Sequence, residues 1–446
     1  MNQLLRPQQV VRTEVSGSAC RVETFIERHG QGEVYKASLA GSPVALKWYF
    51  SHAATADQRR ALEDLVAKGP PNEKFLWHME VVSAQEVPGY GYIMPLRDAR
   101  FKGLMDLMKG KVQGLTFRAL ATAGYQLAES FFQLHSAGLC YRDISFGNVF
   151  FDPASGDVLI CDNDNVDVNR QAPPTVLGTP RLMAPEIVRR EVLPSTDTDL
   201  YSLAVLLFYM FLVHHPLEGK RERSIHALDQ AAMNRLYGTH PLFIFDPRDD
   251  SNGPDPRYHQ NVLGLWQIYP QSLRDKFTQS FTEGLRAIHR RVRENEWRTT
   301  LVELRDAIYS CLHCHSEVFF DAQAAATHAG SPGRCWNCGQ ELKSPIRLRI
   351  RDGSRNAESL VVLTLQAKLY FHHVDSNRRY DFSAPVAEVV AHPRERGRQG
   401  LKNLSPAKWV MTNAEGVMKD VEPGRAVTLA AGTKISFGGL EGELLG

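Results

Sequence analysis

Residues 141–151 read YRDISFGNVFF, and shortly after them residues 158–165 read VLICDNDN. Asp143 precedes Asn148 by five positions, so one tight loop brings a carboxylate and an amide together. Asp162 follows directly on a short apolar run with the character of a strand. An acid that takes the proton of a hydroxyl, with an amide and a second carboxylate on a divalent cation, is the donor set that phosphoryl transfer requires. The cation offsets the charge that builds on the phosphates.

Moving outward from this stretch, residues 44–47 read VALK at the end of an alternating segment, where the Lys47 ammonium can reach nucleotide phosphates. Residues 57–68, DQRRALEDLVAK, have helical spacing and carry Glu63, a candidate partner for Lys47. Residues 178–186, GTPRLMAPE, form a turn-rich segment suited to substrate docking. Asp199 opens the most apolar helix of the chain and is read as an anchor for the loop at 141–151. That helix, LYSLAVLLFYMFLV at 200–213, has 14 residues including a Ser and two Tyr. A membrane span needs about 20 apolar residues, so this is read as a buried core helix.

The order VALK, then R-D-x-x-x-x-N, then an aspartate after a strand, then A-P-E, resembles a protein kinase over residues 20–306. The resemblance implies an α+β, bilobal fold, with ATP and Mg²⁺ as cofactors and a protein hydroxyl as acceptor. It makes Lys47 the phosphate-anchoring lysine, Glu63 its helix partner and Asp143 the catalytic base, with Asn148 and Asp162 as Mg²⁺ ligands. Gly30 and Gly32 fall in the glycine loop. Val34 and Ala45 lie above the adenine and Phe150 below it. In YIMPLR, Met94 is the gatekeeper, with Pro95 and Leu96 beside the adenine. Glu186 is expected to pair with Arg291. Arg142 is of the type that receives an activation-loop phosphate, for which Thr175 is the candidate acceptor, and Thr179 is expected to contact Asp143, as in Ser/Thr-specific members.

This sequence departs from the family pattern in four places. The glycine loop is ERHGQGEVY, with Glu27 and His29 where glycines usually allow close approach to phosphate. Tyr141 replaces the usual histidine, and Ser145 the lysine two residues after the base. Asn163 replaces the phenylalanine after the metal-binding aspartate, and Asp164 adds a carboxylate that either binds an ion or repels phosphate. The rival reading is a pseudokinase scaffold that binds nucleotide and recruits a phosphatase or other partner.

The chain has 446 residues, 43% hydrophobic and 23% charged, ordinary for a folded globular protein. Lys+Arg 52 against Asp+Glu 50 leaves +2, which points to neither nucleic acid nor membrane. The N-terminus has no export signal, so a cytoplasmic location is expected. Four of the seven cysteines form two C-x-x-C pairs, Cys311/Cys314 and Cys335/Cys338, the pattern of a structural four-thiolate zinc site, with a redox dithiol or disulfide pair as the alternative. They define a zinc ribbon at 307–343, resembling a zinc-ribbon hairpin and too small for its own apolar core. Residues 1–19 are read as an N-terminal extension.

Residues 345–446 alternate short strand candidates with turns and suggest an all-β sandwich. The tail GLKNLSPAKWVMTNAEGVMKDVEPGRAVTLAAGTKISFGG resembles a forkhead-associated domain, with Asn403 and Ser405 in its turn. Arg394, Arg396, Arg398 and Lys402 form a basic cluster that either binds a phosphopeptide or is a solvated edge of a docking sandwich. RLRIRDGSR is read as an edge strand with a charged face. Residues 239–261 show little periodicity and are left as a functional or disordered loop. The combination looks like the bacterial kinases associated with tellurite-resistance gene clusters, which implies a PP2C-type phosphatase and a von Willebrand A-domain protein as partners.

Overall fold

A computed structural model describes residues 3–168, 178–179, 181–327, 330–352, 357–395 and 397–446. Thr175, His328 and Arg396 lie outside the described residues. The chain divides into two compact units, Met1–Leu265 with Asp275–Arg298, and Trp266–Arg274 with Thr299–Gly446.

In the first unit, strands β1 (Val10–Thr13), β2 (Ala19–Arg28), β3 (Gly32–Leu39), β4 (Ser42–Tyr49), β5 (Glu80–Ser83) and β6 (Gly91–Pro95) form a closed barrel in the order β1-β2-β3-β4-β6-β5. Strand β1 comes from the stretch read as an extension, and it closes the barrel by pairing with both β2 and β5. Leu5, ahead of it, is fully buried. The period-2 alternation of β4 decides where the chemistry sits. Val44, Leu46 and Trp48 enter a core with Val11, Tyr35 and Ile93, whereas Ala45 and Tyr49 join Val34, Tyr92 and Met94 on the opposite face. Lys47, between Leu46 and Trp48, therefore shares the second face.

Helix α1 (Ala56–Lys68) begins at Thr55, whose side chain accepts from the Gln58 N–H, and buries Leu62 and Leu65. Helix α2 (Phe117–Ser136) is capped by Thr116 in the same way. Helix α3 (Thr196–Leu212) is buried along almost its whole length, as its composition requires. Residues 239–261 are pinned: Phe243 packs edge-on to Phe208, and buried Asn252 donates to the carbonyls of Leu217 and Leu242.

In the second unit, Ile308–Ser310 and Glu317–Phe319 form a hairpin whose turn carries Cys311 and Cys314, with Cys335 and Cys338 following it. Among the described residues ten strands follow: β7 (Arg347–Asp352), β8 (Ala357–Val362), β9 (Lys368–Tyr370), β10 (Pro385–Ala391), β11 (Gln399–Asn403), β12 (Trp409–Thr412), β13 (Met418–Val421), β14 (Ala426–Thr428), β15 (Lys434–Ser436) and β16 (Glu441–Leu445). They make two sheets, β8-β7-β16-β15-β12-β13 and β9-β10-β11-β14, around Leu348, Ile350, Val389, Leu401, Trp409 and Ile435. The expected charged edge strand is β7, which has a neighbour on each side. Its outward Arg349 and Arg351 are met across the sheet by Glu443 and Glu358. The cysteine module does have apolar packing, because Tyr309, Val318 and Phe320 share a cluster with Val362 of β8.

Candidate active site

The loop that carries Asp143 is held from α3. The Asp199 carboxylate accepts from the backbone N–H groups of Tyr141 (2.6 Å) and Arg142 (3.0 Å). His135 of α2 bridges Asp199 and Glu294. Burial alone would lower the His135 pKa, but the two carboxylates outweigh it and raise it to about 9. The Tyr141 hydroxyl donates to the Cys161 carbonyl and so ties this loop to the strand that delivers Asp162.

Within the loop, Asn148 donates through its amide nitrogen to the Asp143 carbonyl at 3.0 Å, leaving its amide oxygen as the acceptor a cation needs. The Thr179 hydroxyl donates to the Asp143 carboxylate at 2.7 Å, the contact expected from sequence. Burial raises the Asp143 pKa, partly offset by the Thr179 hydrogen bond. A carboxylate with raised basicity is suited to taking a proton from a hydroxyl. Arg142 is already paired with Asp167 at 2.8 Å. Glu186 and Arg291 form the expected ion pair, also at 2.8 Å.

One cleft is bordered by Val34, Ala45, Met94, Pro95, Leu96 and Phe150 on its apolar side and by Lys47, Asn148 and Asp162 on its polar side. The donor set fits the groups that a phosphoryl-transfer site holds: an apolar slot for a purine, an amine for phosphate, and an amide and a carboxylate for Mg²⁺. Glu27 and His29 of the glycine loop also border the cleft, as do Ile26, Leu76, Tyr92, Arg97, Gly147 and Cys161, which were not assigned to it from sequence. Arg97 lies 4.0 Å over the Phe150 ring.

The glycine loop differs from expectation. Gly30 and Gly32 do not border the cleft. A Cβ on Gly32 would stand 2.3 Å from the Trp48 carbonyl oxygen, so close strand packing explains that glycine. Glu27 and His29 pair with each other at 3.0 Å.

The larger correction concerns Lys47. Its ammonium contacts Asp162 at 2.5 Å and Asp164 at 2.6 Å. Burial would lower the Lys47 pKa, but the Asp164 and Asp162 charges raise it. Glu63 takes no part, since its side chain is 49% exposed and pairs with Arg59 one turn earlier. On a helix that buries positions 62 and 65, position 63 faces outward. Asp164 is fully enclosed, and neither of the two roles read for it from sequence describes its surroundings.

The cysteines form a separate constellation. The sulfurs of Cys311 and Cys338 are 3.7 Å apart, and those of Cys314 and Cys335 are 3.6 Å apart. Four thiolates at about 2.3 Å from one zinc ion would be about 3.8 Å apart along each tetrahedral edge, whereas a disulfide needs about 2 Å. The cluster is therefore compatible with zinc. Trp336 is half exposed and donates to the Glu317 carbonyl. Asp306, His372 and His373 also lie within ligand reach of one another. Each of these histidines accepts a backbone N–H at Nδ1, which leaves the proton on Nε2, so His373 donates to Asp306 and neither ring offers Nε2 to a cation.

In the sandwich, Asn403 and Ser405 bond to each other, and Asn403 also donates to the Ala407 and Val421 carbonyls, so both serve the turn. Arg398 is paired with Glu395 at 2.7 Å. Among the described residues, no helix is long and apolar enough to cross a membrane.

Comparison with known proteins gives the family. SRK2G, a serine/threonine-protein kinase of Arabidopsis thaliana, is 27% identical over 180 residues, covering 37% of this chain and 48% of that protein. The serine/threonine-protein kinase SAPK9 of Oryza sativa subsp. japonica is 24% identical over 207 residues, 43% of this chain and 53% of that protein. The eye isozyme of protein kinase C from Drosophila melanogaster is 34% identical over 125 residues, 27% and 18% of the respective chains. The chain thus spans about half the length of the plant relatives it matches. The protein kinase domain model matches residues 30–292, more than half of the chain and the whole of the cleft just described apart from Ile26, Glu27 and His29, and the chain belongs to the protein kinase domain family.

Proposed function

We propose that the chain is a protein serine/threonine kinase that moves the γ-phosphoryl group of ATP, with Mg²⁺, to a protein hydroxyl. The observation that carries this reading is the Asp143 carboxylate held by Thr179, on the same loop as Asn148 and next to a cleft with Asp162 and Lys47 on its polar side. In this reading Asp143 accepts the proton of the attacking hydroxyl at a carboxylate oxygen, and Thr179 fixes which oxygen faces the acceptor. Asn148 and Asp162 would hold Mg²⁺, Lys47 would meet the phosphates, and Val34, Ala45, Met94, Leu96 and Phe150 would enclose the purine. Bound Mg²⁺·ATP supplies the electrophilic phosphorus and the charge neutralisation on its oxygens. The serine/threonine preference is supported by Thr179 and by the names of the relatives.

The second unit is read as a docking platform, with structural zinc on Cys311, Cys314, Cys335 and Cys338 and a forkhead-associated-like sandwich. A PP2C-type phosphatase and a von Willebrand A-domain protein are the partners that the resemblance suggests, and the cytoplasm the compartment. Because Asn403, Ser405 and Arg398 have internal partners, protein docking is favoured over phosphopeptide capture.

The test is phosphosite mapping by mass spectrometry after incubation with ATP and Mg²⁺, with and without the candidate partners. New phosphoserine or phosphothreonine that depends on Asp143 is expected. Nucleotide binding with no phosphorylated product would favour the scaffold reading instead.

A further inference from the structure

The Asp164 carboxylate is fully enclosed and surrounded by donors. One oxygen, Oδ2, accepts from Lys47 Nζ at 2.6 Å and from the Tyr49 hydroxyl at 2.7 Å. The other, Oδ1, accepts from the Tyr92 hydroxyl at 2.5 Å and lies 3.2 Å from His78 Nε2. These donors come from three separate pieces of the barrel: β4, β6 and the segment before β5. Lys47 and Tyr49 share one face of β4, and Tyr92 stands directly across from Lys47 in the register. A buried carboxylate needs this density of donors, since an unpaired one would not remain charged.

The backbone around Asp164 is fixed as well. Asp162 adopts the left-handed conformation (φ 55°, ψ 53°), and a short 3-10 turn, Asn163–Asn165, follows. Asn163 is buried, and its amide donates to the Leu76 carbonyl at 2.9 Å, so a polar clamp occupies the position where an aromatic ring would pack. The same 74–76 segment is hydrogen-bonded to Ile160, from Leu76 N to the Ile160 carbonyl and from Ile160 N to the Lys74 carbonyl. The turn that presents Asp162 to the cleft therefore also presents Asp164 to Lys47.

Helix α1 offers no alternative acid. Its inward face is Gln58, Leu62 and Leu65, and Gln58 donates to the Asp164 backbone carbonyl, at 3.5 Å. Glu63 is turned to Arg59. From this geometry we infer that Asp164 is the positioning residue for Lys47, in place of an acid on α1, so that the phosphate-anchoring amine is set by the turn that carries Asp162 and not by a side chain of α1. The inference rests on the kinase reading for the role of Lys47 and adds a residue that the sequence pattern does not assign.

The test compares wild type with Asp164→Asn, Lys47→Met and Glu63→Gln in the full chain. Affinities for Mg²⁺·ATP and for adenosine are measured by calorimetry, kcat where transfer occurs, and melting temperature as a check on folding. Asp164→Asn keeps two oxygen- or nitrogen-bearing branches of the same shape in the enclosed site. Loosening Lys47 is expected to weaken ATP binding about tenfold and to lower kcat about a hundredfold, the scale set by misplacing one catalytic group. Adenosine affinity should stay unchanged, because the purine slot is not touched. Lys47→Met should show the same split, and Glu63→Gln should match wild type in every measurement. A purely structural role would lower the melting temperature and both affinities together, which overturns the inference. It is also overturned by unchanged or tighter ATP binding in Asp164→Asn, by an equal loss in Glu63→Gln, or by wild type binding ATP no tighter than adenosine. If wild type binds ATP but transfers no phosphate, the kinase reading fails, and the split between ATP and adenosine still decides the role of Asp164.

Discussion

At Asp143, one hydrogen bond links geometry to rate. Thr179 donates to one carboxylate oxygen, which in the proposed mechanism leaves the other for the incoming hydroxyl. Thr179→Val removes the donor at nearly constant shape and is expected to lower kcat about tenfold, the equivalent of one hydrogen bond of about 1.4 kcal/mol, with Mg²⁺·ATP affinity unchanged. Thr179→Ser should retain most of the activity. Steady-state kinetics on the three proteins checks this, and an unaltered kcat in Thr179→Val would remove Thr179 from the account. The residues legible in the sequence are those of short-range motifs: Asp143 and Asn148 lie on one loop, and Asp162 ends a strand. Asp164 could be seen but not interpreted. Its partners Tyr49, His78 and Tyr92 lie 72 to 115 positions earlier, and only the barrel register brings them together. Glu63 was misread because an acid on a helix of suitable spacing says nothing about which face is buried.

Among the elements, α2 and α3 hold the loop that carries Asp143 through His135 and Asp199. His135 has a folded-state pKa of about 9, above its ordinary value near 6.5. Its protonated form therefore stabilises the fold fully below pH of about 6.5, and the contribution is lost as pH rises through about 9. The difference in melting temperature between wild type and His135→Gln should be largest at about pH 6 and should shrink steadily toward about pH 10. A difference that does not change with pH would mean that His135 is neutral in the fold. The two large helices were legible because α3 is apolar on all sides and α2 has a long amphipathic run. Strand β1 was not: four residues, VVRT, following a polar N-terminus carry too little pattern, and only the pairing of Arg12 with both Ala19 and Ser83 makes them a strand. The 239–261 stretch hid its order for a related reason. Its structure rests on one buried amide, Asn252, and on an apolar triplet at Leu242–Ile244, not on periodicity.

For the molecule as a whole, the cysteine module and the sandwich are joined within the second unit through Val362 and Leu360 of β8. Zinc bound by the four thiolates would tie the turn between Tyr309 and Val318, which carries Cys311 and Cys314, to the Cys335–Cys338 segment. Chelation, or Cys335→Ser, is expected to raise hydrogen exchange at 308–319 and along β8, and to lower the melting temperature by several degrees, consistent with a loss of about 2 kcal/mol. Metal analysis should find about one zinc per chain before chelation. No metal in freshly purified protein, or unchanged exchange after chelation, would reject a structural zinc site. That a kinase domain comes first and a strand-rich region follows was readable from motifs and composition. Their boundaries were less so, because Trp266–Arg274 and Thr299–Gly446 form one unit that cuts across the expected limit at 306.

The central claim is that Asp143 removes a proton from a protein hydroxyl during transfer from ATP. The most direct measurement is incorporation of labelled γ-phosphate in the presence of Mg²⁺ by wild type and by Asp143→Asn, with ATP affinity measured on both. The account expects transfer to serine or threonine by wild type, and a loss of about a thousandfold in Asp143→Asn with ATP affinity kept within about twofold. Equal transfer by the two proteins, or none by wild type with ATP bound, would contradict it.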